Sequence, residues 1–393
     1  MKAMKWKFYS LAFVAGMSIL TACSSDDNND NDGNGGNGNG NEIENGTILK
    51  GTITSDVTLA AGNTYKLSGE YIVEEGATLH IEEGVKIIAV YDDIADYILV
   101  KQGGKINAVG TPDKPIVMTS EKEEPGAWGG IHICGRAHTN AEGGKGSSEI
   151  GGAVYGGNDD ADNSGTLQYI RLEYTGFAFD EEHEANGISF YGVGNGTIVD
   201  HCQAYKGSDD GFEFFGGSVN VSNLVAVSCS DDSFDWTEGW NGKGTNLVAY
   251  QEDKSTLGYD CDCLMECDNN GSNNAATPVA HPVLKNLILV GNGGSKQGIR
   301  LRAGTEVEIV NAKDCGKGQP LTVETALTEN ALKNGTSKLT NITLTSELSS
   351  KEGIYTHADF IAVTSNKVDA NLSYSSFEDI RKECSWMNGS WVK

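Results

Sequence analysis

The chain has 393 residues, with 51 Gly, only 6 Pro and an apolar share of 38%. This supports one large all-β domain or two or three ordinary domains, and excludes a chain that is disordered throughout. Lys and Arg total 29 against 55 Asp and Glu, a formal charge of -26. Such an excess of negative charge argues against nucleic acid as a partner and against electrostatic docking on anionic lipid.

Residues 1–22 read as a secretory signal. Lys2, Lys5 and Lys7 precede an apolar stretch from Phe8 to Leu20 that is too short to span a bilayer comfortably. The run Leu20-Thr21-Ala22-Cys23 resembles a bacterial lipobox. That resemblance implies cleavage before Cys23, acylation of its sulfur and new amine, and anchorage in outer-membrane lipid. An ordinary signal peptide with a chance Cys is the alternative. Residues 23–47 open with Ser24-Ser25-Asp26-Asp27 and continue in Asn, Asp and Gly, so they read as an acidic tether. The acidic run beside Cys23 resembles the surface-export signal of Bacteroidetes lipoproteins. It implies a protein facing the cell exterior, whereas a plain spacer would leave it facing the periplasm.

From residue 48 to 373, short β-branched runs are cut by Gly, Asn and Asp, and they repeat. Val199 to Ala204 aligns with Val221 to Ala226 at an offset of 22, and Thr245 to Ala249 follows after 23 more. Lys285 to Leu289 and Thr340 to Leu344 fit the same template. A second strand keeps step: Asn186 to Phe190, Asp210 to Phe214 and Asp232 to Trp236, with weaker copies at Gly130 to Ile133, Leu264 to Cys267 and Gly298 to Leu301. Repeats of about 20–30 residues that each carry several short strands predict a parallel β-helix, whose coils bury apolar surface only by stacking. Strand alternation then points Ile188, Phe190, Phe212, Phe214, Phe234 and Trp236 into the bore. Asn223, Asn246, Asn286 and Asn341 should form a hydrogen-bonded ladder at one turn, with His201 standing in for an Asn.

Several segments carry a family resemblance: GATLHIEEG at 76–84, GGKINAVGT at 103–111, PIVMTS at 115–120, AWGGI at 127–131, SDDGFEFFGG at 208–217 and SDDSFD at 230–235. The chain resembles a family of Bacteroidetes surface lipoproteins built on a right-handed parallel β-helix. The resemblance implies architecture and location and transfers no catalytic residue. The end, 374–393, reads as a C-terminal cap over the open coil edge.

The second strand repeat predicts an outward column of His132, Ser189, Glu213, Asp235, Glu266 and Arg300, about 4.8 Å apart. Stacked carboxylates at that spacing need a cation, an Arg, raised pKa values or good solvation. Glu213, Asp235 and Glu266 are therefore candidate ligands for Ca²⁺, with Asp209, Asp210, Asp231, Asp232 and Asp268 as contributors. Alternatively they form a plain solvated face, and the Asp-Asp pairs cap turns. Were the protein an enzyme, Glu213, Asp235, Glu266 and Arg300 would be the catalytic set, as in polysaccharide lyases or glycoside hydrolases. The sequence departs from polygalacturonases, and Arg300 and Arg302 are hard to neutralise as lyase bases. His132, Glu213, Asp235, Trp240, Glu266, Arg300 and Arg302 are the candidate ligand-binding residues, with Trp240 read as exposed in a Gly-rich turn. Tyr191, Tyr205 and Tyr250 could be sugar platforms or packing. Among the cysteines, one local disulfide involving Cys267 is expected, and Cys202, in place of an inward Leu, should be a buried thiol. The expected function is non-catalytic glycan binding at the cell surface. The alternatives are a Ca²⁺-dependent polysaccharide lyase or glycoside hydrolase, and a structural accessory lipoprotein of an outer-membrane transporter.

Overall fold

A computed structural model describes residues 41–92, 94–179 and 183–393. The signal segment, Cys23 and most of the tether lie outside the described residues. The first paired strand is Asn41–Ile43, which lies within the stretch read as tether and bonds to Val57–Leu59.

Three faces run the length of the molecule. The first carries Tyr97–Val100, Ile131–Cys134, Ile188–Tyr191, Phe212–Phe215, Phe234–Thr237, Met265–Cys267, Gln297–Leu301 and Gln319–Val323, each paired in parallel with the next. The second and third faces are the two halves of bent strands such as Ile198–Tyr205, Asn220–Val227, Lys243–Tyr250, Val283–Val290 and Glu308–Cys315. The bend falls at one residue per coil, His201, Asn223, Asn246, Asn286, Asn311 or Asn341, with φ between 53° and 64°. Asn enters that left-handed region more easily than other non-glycine residues, which is why it recurs at the corner. Parallel strands joined by crossovers take the right-handed path, so the fold is a right-handed parallel β-helix.

Alternation fills the bore. Ile188, Phe190, Phe212, Phe214, Phe234 and Trp236 are each at most 2% exposed. Phe190 stacks on Phe214 at 5.0 Å and Phe212 on Phe234 at 5.6 Å, and such pairs add about 0.5–1.5 kcal/mol beyond burial. The coils approach so closely that a Cβ at Gly130 (φ 66°) would lie 2.1 Å from the Asn186 carbonyl oxygen. Cys202 is buried at the inward position that Leu224 and Leu247 occupy in the next coils. The expected disulfide does not form: the eight cysteines after Cys23 are all buried free thiols. Cys267 pairs in register with Trp236 and Leu301, so alternation turns its sulfur into the bore.

The end of the chain differs from a cap on the last coil. After Tyr374 the chain turns back along the outside of the third face. Ile380, Met387 and Trp391 pack there on Val225, Val248, Ile288 and Val290. The Lys393 backbone N–H donates to Gln203 at 2.8 Å, and its ammonium pairs with Glu173 at 3.0 Å. In the middle coils the outward residues of that face, Val225, Val248, Ile288 and Val290, are apolar, so covering them is favourable.

Candidate functional site

The register stacks His132 on Ser189, Ser189 on Glu213, Glu213 on Asp235, Asp235 on Glu266 and Glu266 on Arg300. This is the column expected from the repeat. Its surroundings divide it into three parts.

At the upper end, the excursion between the first and second faces lays Ile150, Ala153 and Tyr155 over Leu99, Cys134 and Tyr191. His132 is fully buried beneath it. Its Nε2 lies 2.6 Å from the Gly129 carbonyl oxygen, and its ring sits between Tyr97 and Tyr191. Burial pulls its pKa down to about 4. His132 is therefore a neutral core residue, not the groove residue expected. Trp240 is also misplaced by the sequence reading. It is 1% exposed, stacks on Phe214 at 4.1 Å and donates its indole N–H to the Val219 carbonyl at 3.2 Å. The preceding Glu238 and Gly239, both with positive φ, turn the ring into the bore. Tyr191 is buried against Phe215, while Tyr205 and Tyr250 lie partly covered by the C-terminal segment.

In the middle, Glu149, Glu184, Asp209, Asp210, Glu213, Asp231 and Asp235 line an open cleft of about 200 Å³. The two Asp-Asp pairs act differently within each pair. Asn186 Oδ1 accepts from the Asp210 N–H at 3.2 Å, Asp210 Oδ1 from the Asp232 N–H at 2.8 Å, and Asp232 Oδ1 from the Cys263 N–H at 2.6 Å. Asp210 and Asp232 thus cap the next coil, whereas Asp209 and Asp231 turn toward the cleft. Glu149 and Glu184 were not anticipated. They come from excursions outside the repeat, where stacking offers no signal.

At the lower end the acids are paired. Glu266 contacts Arg300 at 2.7 Å and Arg302 at 2.5 Å. Arg302 also holds Asp268 at 2.7 Å, and Arg300 reaches Glu324 at 3.3 Å.

The electrostatics follow from this division. Burial, then Glu149 and Asp235, pushes the Glu213 carboxyl well up, and burial with Glu266 does the same to Asp235. Burial and Asp231 raise Asp209 to about 8, burial and Asp262 raise Asp231 to about 6, and burial raises Glu149 to about 7. The carboxylates thus repel one another within a partly desolvated cleft.

This donor set fits a hard cation. Oxygens of Asp210, Glu213 and Asp235 lie within 4.8 Å of one another, as do those of Asp209, Asp210 and Asp231, and of Asp232, Asp235 and Glu266. The buried Asp235 Oδ1 has no hydrogen-bond partner among the described residues. Glu213, Asp235 and Glu266 do not make a single set, because Glu213 and Glu266 lie two coils apart and Asp235 belongs to both groups.

With coils, columns and cleft established, the comparison with known families is decisive for the architecture. Residues 51–392 match the family described as pectate-lyase like beta helix domain. The chain belongs to that family. A pectate-lyase-like β-helix is similar here to a solved structure, the crystal structure of the Dettilon tailspike protein (gp208), at 9% identity and a TM-score of 0.29. The match covers 76% of this chain and 56% of that one, so the chain spans little more than half the tailspike's length. No curated protein matches this pectate-lyase-like chain.

Proposed function

We propose that this β-helix is a lipid-anchored lipoprotein of Bacteroidetes type, held by an acylated Cys23 on the outer surface of the outer membrane, that binds glycan without cleaving it. The acidic cleft is the binding site, and Asp210, Glu213 and Asp235 would hold a Ca²⁺ ion there. Such an ion would neutralise the cleft and offer coordination to glycan hydroxyls or carboxylates.

The observation that carries the reading against a lyase is the state of the bordering cations. Arg300 and Arg302 are bound up with Glu266, Asp268 and Glu324. Lys296 is held by Asp262, and that hydrogen bond raises its pKa, so it stays protonated. A lyase needs a neutral base at its anion site, and none of these three supplies one.

The test is affinity electrophoresis in gels loaded with neutral and anionic polysaccharides, with Ca²⁺ or with chelator, alongside assays for reducing ends and unsaturated products. Retardation that needs Ca²⁺, without product, is expected. Product release that Asp235→Asn abolishes would overturn the reading in favour of a hydrolase or lyase. Absence of retardation by every polymer would overturn glycan binding at the cleft.

A further inference from the structure

A second pocket, of about 130 Å³, lies on the opposite side of the coil, at the corner between the second and third faces. Asn246, Asn286 and Asn311 line it from the coils, Lys313 stands beside them, and Glu383 and Trp386 close it from the returning C-terminal segment.

The amides are fixed in place by one another. Asn246 Nδ2 donates to Asn223 Oδ1 at 2.8 Å, Asn286 Nδ2 to Asn246 Oδ1 at 2.9 Å, and Asn311 Nδ2 to Asn286 Oδ1 at 2.8 Å. Each Nδ2 carries two hydrogens, and the ladder uses one. The other meets no protein acceptor among the described residues. Asn286 and Asn311 are exposed and Asn246 is half-buried. The corner therefore presents one oriented N–H donor per coil, about 4.8 Å apart.

The opposite wall is also rigid. Lys313 donates to Glu383 at 2.5 Å and to the Tyr374 hydroxyl at 3.1 Å, and that hydroxyl donates to Glu383 at 2.8 Å. Trp386 is partly exposed, with Trp391 at 6.2 Å and His201 at 6.4 Å from its ring centre. Val248 and Ile288 supply apolar lining. Because Lys313 and Glu383 neutralise each other, this pocket lacks the strong field of the acidic cleft.

A partly exposed indole lining the same pocket as a row of fixed amide donors matches the chemistry of a pyranose, which has an apolar C–H face and a hydroxyl-bearing edge. We propose that this corner is a binding site for a neutral sugar, or for a neutral glycan chain running along the solenoid axis, separate from the acidic cleft and independent of any cation. The inference does not rest on the cleft reading.

The test uses the full chain labelled with 5-fluorotryptophan, with the Trp386 resonance assigned from Trp386→Phe. Glucose, galactose, mannose and N-acetylglucosamine at about 100 mM are the probes. At least one should move the Trp386 resonance, with chelator present as well as absent, and should leave the buried Trp236 and Trp240 resonances in place. Asn286→Gly and Asn311→Gly together, which remove the amides and keep the left-handed corner, should weaken that response at least tenfold, and Asp235→Asn should not change it. Silence of Trp386 toward all four sugars would overturn the proposal, as would an unchanged response in the Asn double variant. Loss of the response with chelator or in Asp235→Asn would move the sugar to the acidic cleft.

Discussion

Two columns of this solenoid share one geometry and have opposite energetics. At the corner, Asn223, Asn246, Asn286, Asn311 and Asn341 stack coil on coil: Asn246, Asn286 and Asn311 each donate to one neighbour and accept from the other, Asn341 donates to Asn311, and Asn223 donates to Asp200. On the first face, Glu213, Asp235 and Glu266 stack in the same register, yet a carboxylate can only accept. The amide column bonds to itself from coil to coil. The acid column must recruit something from outside: Asn186 for Glu213 and the two arginines for Glu266, while the buried Asp235 Oδ1 has no hydrogen-bond donor among the described residues. A parallel β-helix repeats positions, so it multiplies the consequence of each side chain's chemistry. A self-complementary residue becomes a structural spine, and a self-repelling one needs partners from outside its column.

The largest expected effect comes from removing the protein's own counter-ion. Arg300→Ala leaves Glu324 without its cation and Glu266 with Arg302 alone, and should cost about 3 kcal/mol in denaturant unfolding. A loss below about 1 kcal/mol would show that Arg302 and solvent suffice for these acids without it. Next, Asn246→Asp places a carboxylate in the amide spine. It cannot donate to Asn223 Oδ1, so about 2 kcal/mol should be lost, more than for Asn246→Ala. The converse change, Asp235→Asn, should stabilise the chelator-treated protein by about 1 kcal/mol and remove any rise in melting temperature on adding Ca²⁺. Destabilisation by Asp235→Asn in chelator would contradict mutual repulsion in the column.

The smallest effect is a slope with pH. Asp231 at about 6, Glu149 at about 7 and Asp209 at about 8 all lie above the usual carboxylate range, chiefly through burial. Each holds its proton more tightly folded than unfolded. Their contribution to stability is therefore fully present below about pH 4 and is lost as pH rises toward 8. The melting temperature in chelator should fall across that range, and Ca²⁺ should flatten the fall. Asp96, pushed up to about 7 by burial elsewhere on the first face, adds to the same slope. Asp96→Asn provides the control that separates the two regions.

The columns were legible because side-chain direction alternates with a period of two and each coil repeats the register. Hence the six bore residues, the outward acids and His201 at the corner all fall where alignment puts them. Asn311 is a spine member that the alignment passed over, although it stands 25 residues after Asn286 and 30 before Asn341. His132 and Trp240 were misread for one physical reason. Column membership fixes where a side chain points, not what a non-repeating loop later lays over it or how a left-handed turn redirects it.

The sequence by itself determined the stacking, since only a coil of this period can bury those alternating apolar strands, and it determined which polar residues would meet in columns. Tertiary structure alone decided which columns stay open. The excursion bearing Tyr155 seals His132 away, the loops bearing Glu149 and Glu184 complete an acid cleft, and the returning C-terminal segment brings Glu383 and Trp386 to the Asn corner. Those contacts join residues far apart in the chain with no repeat between them, so local periodicity carries no record of them.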